Sequence, residues 1–266
     1  MKEGSAQMHL VVDIGNTETV LGLMDPKTGE LRAHWRLSTG PARTADELDH
    51  LIHSLLARRG FDPSHLTRAV LGSVVPSIND RMRVALEGLV SGPVFSVEPG
   101  ADLPIHLDVD EPKTVGADRI VNTLAAKILF ERDTIVVDLG TATTFDCITS
   151  DGVFIGGVIA PGVQVGMEWL AHRAAKLPKV QFRPPAAVIG RRTESCMESG
   201  VFFSAVDAID GVVERIEAEW NRPDALVVAT GGYAGLMAQH CRTVQEVEPF
   251  LTLRGLYFAG GFLAGE

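Results

Sequence analysis

Apolar residues along this chain follow two rhythms, and the switches between them mark its elements. Alternating or continuous apolar runs predict strands at His9–Gly15, Thr19–Met24 and Leu31–Leu37, the last two joined by the turn Asp25-Pro26-Lys27-Thr28-Gly29. The rhythm then changes to helical. Thr44-Ala45-Asp46-Glu47 forms a capping box, and Leu48, Leu51, Ile52, Leu55 and Leu56 make one stripe that ends at Gly60. Ala69–Val75 predicts a buried strand stopped by Pro76, and Asn79 to Val90 a helix with Met82, Leu86 and Leu89 inward. An extended stretch follows as far as Pro112.

The second half repeats the plan. Gly116–Phe130 predicts a helix, Thr134–Leu139 and Thr144–Thr149 strands, and Ser150-Asp151-Gly152 a tight turn into a strand over Val153–Ile159. Pro161-Gly162 opens a helix reaching about Ala175, and Pro178–Ala187 is a proline-rich loop. A long helix over Glu194–Trp220 carries Met197, Val201, Phe202, Ala205, Ile209, Val212, Val213, Ile216 and Trp220. That stripe suits ordinary core or half of a two-fold dimer interface, and the interface is the preferred expectation. Ala225–Thr230 is a strand running into Gly231-Gly232, with two helices after it. Strands in meander and then alternating with helices, twice over, predict two α/β domains with a cleft between them and a boundary near residue 117.

The repeat is also written in the residues. Val11-Val12-Asp13-Ile14-Gly15-Asn16-Thr17 returns as Val136-Val137-Asp138-Leu139-Gly140-Thr141-Ala142-Thr143-Thr144. Each copy is an apolar strand that delivers an aspartate, then a glycine, then small hydroxyl or amide residues. A carboxylate at a strand end can hold a metal ion or a water. The glycine admits a phosphate close to the backbone, and turn N–H groups and hydroxyls donate to it. One such hairpin reads equally as a plain turn. Two in corresponding places point to facing half-sites that clamp a polyphosphate, hence to phosphoryl transfer. No lysine or arginine lies between Asp13 and Met24, so this is not a P-loop.

Composition narrows the class. With 266 residues, 45% apolar and 22% charged, the chain has room for two globular domains. A formal net charge of −10 without a basic stripe argues against a nucleic-acid surface. The same charge means that a bound triphosphate must be neutralised locally, by divalent metal, backbone N–H groups and a few placed cations. Cys147, Cys196 and Cys241 have neither disulfide nor zinc spacing and are expected to be thiols packed in the core, as in a reducing cytoplasm. No signal peptide and no run of roughly 20 apolar residues is present, so no membrane association and a cytoplasmic location are expected.

Further candidates lie outside the hairpins. Gly116-Ala117-Asp118-Arg119 opens a helix whose first amides favour an anion, and places an acid and a forked cation on one turn. The plain alternative is an N-terminal Asp facing the helix dipole, with Arg119 paired at the surface. Ala229-Thr230-Gly231-Gly232-Tyr233-Ala234-Gly235 lets backbone approach a flat ring or a phosphate, although an ordinary β-to-α turn looks similar. Thr193 reads as an N-cap of the long helix. The eight histidines show no metal-ligand spacing and are taken as structural or surface residues.

Asp13-Ile14-Gly15-Asn16-Thr17, Trp35-Arg36-Leu37-Ser38-Thr39, Ser73-Val74-Val75-Pro76, Gly116-Ala117-Asp118-Arg119, the Asp138–Thr144 segment and Thr230-Gly231-Gly232 occur in this order. Together they closely resemble the type III pantothenate kinases, within the acetate and sugar kinase/Hsp70/actin superfamily. The likeness runs from about Met8 to about Gly261. It implies two ribonuclease H-like (actin-like ATPase) domains with a central cleft and duplicated topology, divided as residues 1–117 and 118–266. It also implies transfer of the ATP γ-phosphoryl group to pantothenate, the first step of coenzyme A biosynthesis. The enzyme would be a cytoplasmic homodimer using Mg²⁺ and a monovalent cation, K⁺ or NH₄⁺. By position, Asp13, Ile14, Gly15, Asn16, Thr17, Glu18, Thr19 and Val20 would form the ATP phosphate loop, and Thr141 would also contact ATP. Asp118 would accept the proton, Gly116, Ala117, Asp118 and Arg119 would touch pantothenate with Thr193, and Asp138 would bind the monovalent cation. Many members carry an aromatic residue where this chain has Val109, so that ring's pantothenate contact does not carry over.

Two other classes remain open at this stage. One is a non-catalytic ATP-binding regulatory or accessory protein of the same fold. The other is a kinase of the same superfamily with a different small-molecule acceptor. Retention of Asp118 and Arg119 disfavours the first, since binding alone needs no base. The Gly116–Arg119 segment disfavours the second.

Overall fold

The computed structural model describes residues 7–165 and 180–266. By its internal contacts the chain divides into two compact units. The first comprises Met1–Ile105, Asp110–Ala125 and Thr252–Glu266, and the second His106–Val109 and Ala126–Leu251. This division differs from the expected one at 117/118. The start of the helix after Gly116 and the C-terminal helix both pack with the first unit, because their apolar faces are completed there.

In the first unit, β1 (Met8–Ile14), β2 (Glu18–Met24), β3 (Leu31–Ser38), β4 (Leu66–Ser73) and β5 (Val94–Val97) form a sheet in the order β3-β2-β1-β4-β5. The three meander strands are antiparallel, while β4 and β5 join in parallel. Leu10, Val12 and Ile14 point to one face, where they pack with Leu48, Ile52 and Leu56 of α1 (Ala45–Arg58) and Met82 and Leu86 of α2 (Pro76–Leu89). α1 starts at the expected capping box: Thr44 Oγ1 accepts from Glu47 N at 3.2 Å, and Thr44 N donates to the Glu47 carboxylate at 2.7 Å. The opposite face carries α3 (Ala117–Phe130), through its Ala117–Ala125 part, and the C-terminal helix Leu251–Leu263. There Gly22 and Gly72 leave room for Leu253 and Leu256; a Cβ on either glycine would come within 2.9 Å of these side chains.

The second unit repeats this topology. β6 (His106–Leu107), β7 (Thr134–Leu139), β8 (Ala142–Ile148), β9 (Val153–Pro161), β10 (Leu226–Thr230) and β11 (Glu246–Val247) lie in the order β11-β10-β7-β8-β9-β6. The β9-β8-β7-β10-β11 part has the order and directions of the first sheet. This is the duplicated ribonuclease H-like architecture. α4 (Thr193–Trp220) covers the sheet with Phe202, Val206, Ile209 and Val213 fully or nearly buried against Ile135, Val137, Phe145 and Val227. α5 (Ala234–Met237) follows β10, and α6 is the C-terminal helix Leu251–Leu263.

Several expectations are revised. Ala205, Val212, Ile216 and Trp220 of the α4 stripe are partly buried against their own unit's core. Thr193 is the first helical residue of α4, with Arg192 in the N-cap position. The capping is done by Ser195, whose Oγ accepts from Arg191 N and Arg192 N at 3.1 Å. Cys147 and Cys241 are buried as expected, but Cys196 is exposed on the first turn of α4. The helix expected after Pro161-Gly162 begins at Val163, and its remainder to Ala175 lies outside the described residues, as does Pro178. Among the described residues no helix is long and apolar enough to cross a membrane.

Candidate active site

The two Asp-containing hairpins occupy equivalent places, one in each unit. Asp13 pairs with Val20 and Asp138 with Thr144, so the second hairpin is one residue tighter. Gly15 N donates to Glu18 O at 3.0 Å, and Gly140 N to Ala142 O at 3.1 Å. Each bond closes a turn whose tip is presented outward: Asn16, Thr17 and Glu18 are exposed in the first, Gly140 and Thr141 in the second. Ile14, Thr19 and Val20 anchor the first tip in the sheet. Thr19 Oγ1 and Thr39 Oγ1 share a buried hydrogen bond of 2.9 Å, and Thr39 N donates to Thr17 O at 2.9 Å. At the rim, Arg36 Nη1 donates to Glu18 Oε2 at 2.7 Å.

In the first unit the aspartate and the Gly116–Arg119 segment lie on the same sheet face. Asp13 sits directly beside Gly72 in the parallel β1/β4 ladder, so the two share a face. A Cβ on Gly72 would stand 3.7 Å from the Ala117 Cβ, which places the start of α3 over this face. Val74 ties the strand ends together by donating its N–H to Ile14 O at 3.0 Å. Gly116 O accepts from Ile120 N at 3.1 Å and so opens α3. Asp118 folds back over this helix end, where its Oδ1 accepts from Arg119 N at 2.8 Å. Burial raises the Asp118 carboxyl above the ordinary aspartate range, against opposing pulls from the backbone N–H groups and the Arg119 charge. A carboxyl shifted in this direction at a helix N-terminus is poised to take up a proton.

In the second unit Asp138 lies beside Thr230 across β7 and β10. Gly231 follows with φ of +88°, and a Cβ there would come within 2.5 Å of Asp138 Oδ1. The same Cβ would also stand 2.9 Å from Leu139 N and Leu139 C, so only glycine lets the β10 end pack this closely on the Asp138 strand. Gly162 approaches the same hairpin so closely that a Cβ would stand 2.1 Å from Thr141 O. Thr193 also belongs to this unit, at the exposed start of α4. Among the described residues no group of three or more His, Cys, Asp or Glu forms a metal cluster. A divalent ion held by Asp13 would therefore take its other ligands from phosphate oxygens and water, the usual habit of Mg²⁺.

The family model for type III pantothenate kinase matches residues 9–215. The chain belongs to the type III pantothenate kinases. The Myxococcus xanthus type III pantothenate kinase is 41% identical over 94% of this chain and 96% of its own. That of Acidothermus cellulolyticus is 44% identical over 94% of this chain and 96% of its own. Among solved structures, the EutJ ethanolamine utilization protein of Carboxydothermus hydrogenoformans shares the fold with a TM-score of 0.57. It is 17% identical, with 95% of this chain and 90% of that one covered. A Campylobacter jejuni protein described as a Baf family transcriptional activator reaches 0.58 at 18% identity, covering 97% and 100%.

For a type III pantothenate kinase the site is legible in its motifs, but the residues that shape it are less so. Gly72 has no role in the sequence reading, and Val74, Arg36 and Glu18 figure there only as parts of motifs, without the contacts they make. Gly72 carried a usable signal, because a glycine inside an otherwise apolar strand marks a close approach. Val109 Cγ1 lies 3.9 Å from the Cβ position of Gly156, whose φ is +114°.

Proposed function

We propose that this chain catalyses ATP-dependent phosphorylation of pantothenate to 4′-phosphopantothenate, with Asp118 as the proton acceptor. The observation that carries the assignment is Asp118 at the start of α3, on the sheet face where Asp13 and the phosphate hairpin emerge. A primary alcohol is too weak an acid for a carboxylate to ionise in the ground state. Asp118 therefore orients the hydroxyl and takes its proton late, in a loose transition state. Its raised proton affinity helps this late transfer. Arg119 offsets charge at the transferring group, and Gly116 and Ala117 bring backbone close to pantothenate, with Thr193 as a further contact.

The ATP phosphates lie against the Asp13–Val20 hairpin, with Thr141 as a second contact. Mg²⁺ bound with the nucleotide supplies charge neutralisation, and Asp13 is the carboxylate suited to hold it. Asp138, at the end of the second Asp-containing strand, would hold K⁺ or NH₄⁺ as the equivalent of Asp13 in the other hairpin. These cations resolve the problem that an acidic chain meets in binding a triphosphate. The protein acts as a cytoplasmic homodimer without nucleic-acid or membrane partners.

The test is ADP release on addition of pantothenate to the protein with Mg·ATP, run in potassium and in sodium-only buffer. Pantothenate-dependent ADP in potassium and little in sodium is the expected result. ATP binding without ADP formation would instead support the non-catalytic binder, and equal rates in both buffers would remove the cation role from Asp138.

A further inference from the structure

Gly116 occupies the N-cap position of α3, where a side chain that accepts hydrogen bonds is usually favoured. Its backbone is not in the left-handed region, so nothing in its conformation demands glycine. What excludes a side chain is its neighbour. A Cβ at this position would stand 2.5 Å from Asp118 Oδ1, 3.1 Å from Val74 Cγ1 and 3.6 Å from Asp118 Cγ. The nearest obstacle is thus the free end of the Asp118 side chain. An added methyl group is accommodated by rotating that carboxylate away, with little strain on the fold. Asp118 meanwhile does the work a capping residue would do, since its carboxylate accepts from Arg119 N.

We infer that Gly116 is a positioning residue for Asp118. Its missing Cβ is the space in which the carboxylate folds back over the α3 N-terminus, and a side chain at 116 drives that carboxylate out of the pose. This rests on the reading of Asp118 as proton acceptor, and it gives Gly116 a role separate from contact with pantothenate. Capping and positioning lead to opposite orders of variants. If capping were the function, Gly116→Ser would be the benign change. If positioning is, serine and alanine both fail, because both carry a Cβ.

The experiment uses the full chain with Gly116→Ala, Gly116→Ser, Gly116→Ala/Val74→Ala and Asp118→Asn, plus Gly116→Ala in the Asp118→Asn background. Both single Gly116 variants are expected to lose between about 10- and 100-fold in kcat, the scale of a misplaced reacting group, with binding of a non-hydrolysable ATP analogue nearly unchanged. The acid limb of the kcat profile moves to lower pH, because a carboxylate turned into water loses the burial that raises its pKa. A ¹³C titration of the Asp118 carboxyl shows the same downward move. Val74→Ala removes both γ-methyl groups, Cγ1 among them, which gives the new Cβ room and restores part of kcat; this double variant also carries the readout should the single one fold poorly. In the Asp118→Asn background Gly116→Ala costs nothing further. Normal turnover in Gly116→Ser, an unmoved Asp118 titration or an undiminished loss in the Asp118→Asn background would each overturn the inference. Near-normal turnover of Asp118→Asn alone would instead remove the proton-acceptor reading, and the ¹³C titration would still decide the role of Gly116.

Discussion

Asp13 and Gly72 stand side by side on the parallel strands β1 and β4, and the bare face of Gly72 is where Ala117 and Leu256 come down on the sheet. The glycine lets α3 approach the phosphate hairpin. Gly72→Val is therefore expected to lift both helices, because its Cβ alone would come within 2.9 Å of Leu256 Cδ2. Overpacking of this kind costs about 1–3 kcal/mol. Urea unfolding should show that loss together with a fall in kcat larger than the fall in ATP affinity. An unchanged midpoint and unchanged turnover would mean that the close approach has no consequence.

The Asp118 carboxyl yields a second expectation, for stability. Its proton affinity is raised in the folded state, chiefly by burial. An aspartate of this kind favours the fold while it is protonated. That contribution is lost as pH rises through the folded pKa, so at neutral pH the ionised group opposes folding. Asp118→Asn should raise Tm at pH 7, by roughly 2–4 °C if about 1 kcal/mol is recovered. The advantage should disappear in acid, below the unfolded pKa. A variant less stable than its parent at pH 7 would show that other contacts of the carboxylate outweigh its desolvation.

Thiol chemistry separates the three cysteines. Cys196 is exposed on α4, whereas Cys147 and Cys241 are buried, and burial with nearby Asp210 and Asp207 pushes the Cys241 thiol up to about 12. The thiolate is the reactive form. Native protein at pH 8 should therefore give one fast-reacting thiol with a disulfide reagent, lost in Cys196→Ser, and three after unfolding. Rapid labelling of Cys241 in the native state would contradict its burial.

What the sequence made legible was local chemistry with strong periodicity. The hairpins around Asp13 and Asp138, the Thr44–Glu47 capping box and the α4 stripe are each dictated by residues close together in the chain. What it hid depends on distant partners. β5 at Val94–Val97 and β11 at Glu246–Val247 are strands because β4 and β10 offer edges to pair with. The two residues of β11 are both exposed, and its single valine makes no apolar pattern. Cys196 was misplaced in the core because spacing says nothing about which side of a helix faces solvent. The division at residue 117 followed motif order, whereas packing assigns Asp118 and α6 to the first unit. Within the site the aspartates and threonines were readable as chemistry. Gly72 and Gly116 act by what they lack, and that becomes visible only against Ala117 and Asp118 in three dimensions.

The most direct test of the account is a single-turnover measurement of phosphoryl transfer from ATP to pantothenate by Asp118→Asn beside its parent. The expected result is a transfer rate lower by about 10²-fold or more, with ATP-analogue binding close to the parent value, as for loss of a general base. A transfer rate near that of the parent would contradict it.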